Sequence, residues 1–258
     1  MAAVLLTFTA ESDAPHWPER LEAATQALES VFPGDALRIA LAAKDGVPDA
    51  AVPDRPAYFR SRMRTRRRWF ALRGEKVTAA FAGATHPSDF GFLTFGGSVP
   101  AGSPACLTVQ ASFATATENQ VERALRDVGD ALGACWGSWT PRKLDAWRRV
   151  LQTGATDRQG LAALTPAGLA LPRLAPLAVR DPLQPEAGAW WNYWSARTCA
   201  RLGVDPGTEA DWRDIARPTP AGAWLVKLGT DAPEEITPDA MERLAWLHRR
   251  VPALGARA

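Results

Sequence analysis

Apolar and polar positions follow two alternating periods through the first half of the chain. VLLTFT, residues 4–9, is a short, partly β-branched apolar run and predicts a buried strand. After Pro15 and Pro18 the period lengthens. Leu21, Ala24, Leu28 and Val31 recur at helical spacing, and Pro33-Gly34 stops the helix. LRIALAA, residues 37–43, predicts a second strand, and the Pro-, Gly- and Asp-rich segment 44–58 reads as loop. Runs near 68–73 and 76–83 flank Gly74 as a hairpin. A Gly/Pro/Ser stretch follows, and then LTVQASFATA (107–116) alternates as a strand. Val121, Leu125, Val128 and Leu132 carry a helix from Glu118 to Trp136.

Residues 137–187 lose this regularity and contain Pro141, Pro166, Pro172, Pro176, Pro182 and Pro185. They read as a long connection with one short helix in KLDAWRRVLQTG. Beyond it, WWNYWSARTCARLG reads as a helix, DWRDIAR as a helical turn and AGAWLVKLG as a strand. PDAMERLAWLHRRV reads as a closing helix with proline in its first turn. The expected fold class is α/β, grading to α+β in the tail: a mixed β-sheet with helices packed on its faces, in a single compact body over 1–258. A sub-boundary would fall within 137–187.

Composition narrows the function classes. With 258 residues and 47% of them hydrophobic, the chain can bury a sizeable core. A net charge of +2 creates no global field for nucleic acid or an acidic membrane. No stretch nears the roughly 18 apolar residues of a membrane span, and MAAVLLTFTAESD lacks a basic leader region. Cys106, Cys135 and Cys199 are dispersed without a CxxC, which suits reduced thiols and a cytoplasmic protein.

The search for chemistry assigns no catalytic residue, metal ligand or cofactor. GGSVPAGSPA lacks the lysine of a phosphate-binding loop, and no GxGxxG, HExxH or GxSxG occurs. His16, His86 and His248 lie far apart and suit surface or packing roles, as do most of the carboxylates. An enzyme reading would use carboxylates with His86 beside the glycine-rich loop. The densest charge is the run Arg60, Arg62, Arg64, Arg66, Arg67 and Arg68. On an extended strand its first four members would line one face, next to Trp69 and Phe70. Such a face could grip a nucleic acid backbone, meet an acidic protein or guard a sheet edge. At this net charge the protein partner or solvated edge ranks ahead of nucleic acid.

The aromatic run WWNYW is the other outstanding feature. As a helix it would gather Trp190, Trp194 and Arg197 on one face. Structural anchoring ranks first, since each ring buries a large area. An interface hot spot ranks second, and a ligand box last, because no charged group converges on it.

WWNYWSARTCARLGV, RPTPAGAWLVKLGTDAPEEI and ERLAWLHRRVPALGAR resemble, in that order, the C-terminal part of the bacterial family called domain of unknown function 5953. That family carries a WLNYWS segment, a GGWVVQLT strand and a closing YERFPEIGGR helix. CWGSWTP is similar to its WG-x-x-TP, and ESVFPGDALRIALA to its early LPG segment. Ala221 and Ala223 stand where the family favours glycine. The family in turn resembles the immunity protein 52 family, whose members neutralise secreted nuclease toxins. The resemblance implies a non-catalytic protein that binds a cognate toxin, with no membrane partner. Expected partner-binding residues are Arg62, Arg64, Arg66 and Trp69 in the basic run, and Trp190 and Tyr193 in the aromatic run. Asp231, Glu234 and Glu235 in TDAPEE complete the set.

Overall fold

Leu6, Phe8 and Ala10 alternate with Thr7 and Thr9 along the first strand, β1 (Val4–Glu11), and so fix which side of the sheet meets the helices. The computed structural model describes residues 4–11, 16–39, 54–63, 70–84, 106–113, 115–141, 143–147, 181–185, 187–229, 233 and 237–254. Its strands are β2 (Arg38–Ile39), β3 (Phe70–Arg73), β4 (Val77–Ala84), β5 (Cys106–Phe113), β6 (Trp136–Trp139), β7 (Trp191–Trp194), β8 (Ala216–Pro218) and β9 (Trp224–Lys227). Together with β1 they form one open sheet in the order β2-β3-β4-β5-β1-β6-β7-β9-β8. The expected α/β class with helices on the sheet holds. Every pairing among the described residues is antiparallel, which narrows the expected mixed sheet.

Register aligns the apolar face across both halves of the sheet. Phe8 sits opposite Val109 on one side and Gly137 on the other; Gly137 faces Tyr193, and Tyr193 faces Leu225. Helix α3 (Glu118–Leu132) lies over β1, β6 and β7, with α1 (Trp17–Val31) beside it and α2 (Arg55–Met63) against α1. Gly137 lets this layer close: a Cβ there would lie 2.6 Å from Phe8 Cδ1 and 3.3 Å from Leu125 Cδ1. Thr117 and Gln120 form a capping box at the start of α3, and Gly133 ends it in the left-handed region at φ 58°.

The opposite face is covered at the β6-β7-β9-β8 end by the C-terminal elements. These are α5 (Ala196–Leu202), a 3-10 turn (Ala210–Trp212) and α6 (Pro238–Arg250). Ser195 caps α5 and Thr237 caps α6 through their side-chain oxygens. A short helix, α4, spans residues 143–147. No helix among the described residues is long and apolar enough to cross a membrane.

Three expectations change. The aromatic run is not a helix: WNYW forms β7, and the helix begins only after Ser195. All four β7 residues are buried, so neither a period of two nor of 3.6 shows in the sequence. Residues 55–63 form a helix and not a loop leading into a basic strand, so positions Arg60 and Arg62 fall about 200° apart and do not share a face. Finally, α3 ends at Leu132 and Trp136 opens β6, a strand whose central glycine hides its alternation.

Candidate interaction surface

Three tryptophans from three elements stack edge-on from the sheet outward. Trp194 of β7 meets Trp212 of the 3-10 turn at 5.9 Å between centroids and 79° between planes. Trp212 meets Trp246 of α6 at 5.7 Å and 63°. The first two rings are fully buried, and Trp246 is partly buried against the core. Such edge-to-face pairs align a positive ring edge with a negative ring face and hold each ring in place. Trp212 Nε1 donates to Glu209 Oε2 at 3.3 Å, and the Arg250 guanidinium lies 5.8 Å from the centre of the Trp212 ring.

Around Trp246 opens a groove of about 350 Å³ lined by Asp211, Ile215, Leu228, Glu242, Arg243 and Trp246. Its floor is apolar and its rim is charged. Arg243 Nη1 donates to the Leu228 carbonyl at 2.9 Å and Nε to Asp239 at 2.8 Å, with the side chain still 49% exposed. Asp211 accepts from Arg250 Nε at 2.9 Å, and Glu242 pairs with Arg249.

A second polar cluster lies under the C-terminal end of α3. Asp130 Oδ1 accepts from the Tyr193 hydroxyl at 2.9 Å and from Thr219 Oγ1 at 2.7 Å, and Oδ2 accepts from the Ala221 amide at 3.3 Å. A carboxylate here opposes the negative end of the helix dipole, and the three donors offset that. Burial, then the Asp130 charge, pushes the Tyr193 phenol far above its ordinary value. Alongside, Lys227 pairs with Glu122 and lies 4.2 Å from the centre of the Trp191 ring. This cluster ties α3 to β7 and to the β8–β9 turn.

The profile of the family described as Domain of unknown function (DUF5953) matches residues 18–258. The chain belongs to that family. No curated protein matches this DUF5953 chain. Among solved structures it is similar to the Pseudomonas aeruginosa T6SS protein PA0821. The TM-score is 0.56 and identity is 12% over 98% of this chain and 74% of that one. At that identity the likeness is one of fold.

Within the DUF5953 chain, the two expected contact residues of the aromatic run are packing residues. Trp190 is 3% exposed and Tyr193 2%, so neither reaches a partner's surface. The Trp190 backbone amide donates to Thr140 Oγ1 at 3.2 Å, and the Tyr193 hydroxyl donates to Asp130 Oδ1 at 2.9 Å. Arg62 lies in α2; Arg64, Arg66, Trp69, His86, Asp231, Glu234 and Glu235 fall outside the described residues. Arg60 is exposed and pairs with Glu19 at 2.7 Å. No group of three His, Cys, Asp or Glu side chains among the described residues could hold a metal ion. Burial pushes the Cys199 thiol up to about 12 and raises Cys135 as well, which keeps both protonated and unreactive at neutral pH. Sequence reasoning missed the groove. The available signal was Trp246 itself, a large apolar residue among Glu242, Arg243, Arg249 and Arg250.

Proposed function

We propose that this chain is an immunity-like protein that binds and neutralises a cognate bacterial secreted toxin, a nuclease, by protein–protein contact in the cytoplasm. The observation that carries the reading is a likeness of fold, over 98% of the chain, to a T6SS protein. Family membership supports it through the resemblance of the DUF5953 family to the immunity protein 52 family. The described surface is compatible with binding: a partly buried tryptophan at an apolar groove ringed by charge is a composition that interface hot spots share. Neutralisation on this reading comes from covering the toxin's active site or substrate groove, and needs no chemistry from the chain itself.

Co-expression with the product of each adjacent gene tests this. One neighbour should arrest growth when expressed alone, lose its toxicity in the presence of this chain and co-purify with it. If no neighbour is both toxic and rescued, the reading is wrong.

A further inference from the structure

We draw no further inference here: the strongest candidate, the apolar groove around Trp246 between the 3-10 turn, β9 and α6, has rim charges that are already ion-paired, and nothing in the structure shows what covers it.

Discussion

The Tyr193 hydroxyl donates to Asp130 Oδ1 at 2.9 Å, joining the most buried strand of the sheet to the C-terminal end of α3. Sixty-three residues separate the two in sequence. Removing the hydroxyl by Tyr193→Phe leaves Asp130 with Thr219 and the Ala221 amide. The expected loss is about 1.5 kcal/mol, the lower end for a hydrogen bond to a charged group. Urea denaturation checks it: the midpoint should fall with the slope unchanged.

Gly129 lies against the same ring, and a Cβ there would meet Tyr193 Cδ2 and Cε2 at 2.7 Å. Alanine normally favours a helix interior over glycine by about 1 kcal/mol. Overpacking costs about 1–3 kcal/mol, so Gly129→Ala should destabilise in spite of its better helix propensity. A rise in thermal midpoint for Gly129→Ala would mean that the tyrosine ring is not pressed against α3.

Trp212 and Trp246 belong to one stack but differ in burial, and their truncations should differ accordingly. Trp212→Ala empties a fully buried site and should cost about 3–5 kcal/mol. Trp246→Ala, at the partly buried end, should cost less, about 1–2 kcal/mol. Equal losses in chemical denaturation would contradict the assignment of Trp246 to the surface.

Alkaline pH should unfold the chain through two buried acids. The folded-state values of Tyr193 and Cys199 are both raised, that of Cys199 to about 12. Raised groups give their full stabilisation below the unfolded-state value and lose it as pH climbs toward the folded one. That loss begins near pH 8.5 for a thiol and near about 10 for a phenol. Stability against urea should therefore be insensitive to these two groups through neutral pH and fall from about pH 9 upward. Near-ultraviolet absorbance should show the Tyr193 phenolate appearing only with unfolding.

Elements with one buried face were legible in the sequence. Leu6, Phe8 and Ala10 mark β1, and Val121, Leu125, Val128 and Leu132 mark α3, because each element presents its other face to something less apolar. β7 was misread for the opposite reason. Trp191 and Tyr193 face α3 while Asn192 and Trp194 face the C-terminal elements, so burial on both sides erased the alternation. Asn192 fits there only because its amide closes on Ala189, accepting from its N–H at 2.9 Å and donating to its carbonyl at 2.8 Å. Helix α2 has little apolar signal and is held instead by Arg55, which bridges Glu22 at 2.8 Å and Glu29 at 2.6 Å on α1. The groove was hidden because its lining comes from three segments, around 211–215, at 228 and along 242–246, brought together only by the fold.

The edge strand β8 decides how this side of the sheet can meet another molecule. Ile215 and Thr219 direct their backbone bonds to β9, through the Lys227 amide at 2.7 Å and the Ala223 carbonyl at 2.8 Å. The backbone groups of Ala216 and Pro218 therefore point away from the sheet, and proline has no N–H to give. That border offers a single amide, on Ala216, where a docking strand would require a row of them. Growth of the sheet into a second molecule is foreclosed at β8, so recognition on this side must pass through side chains.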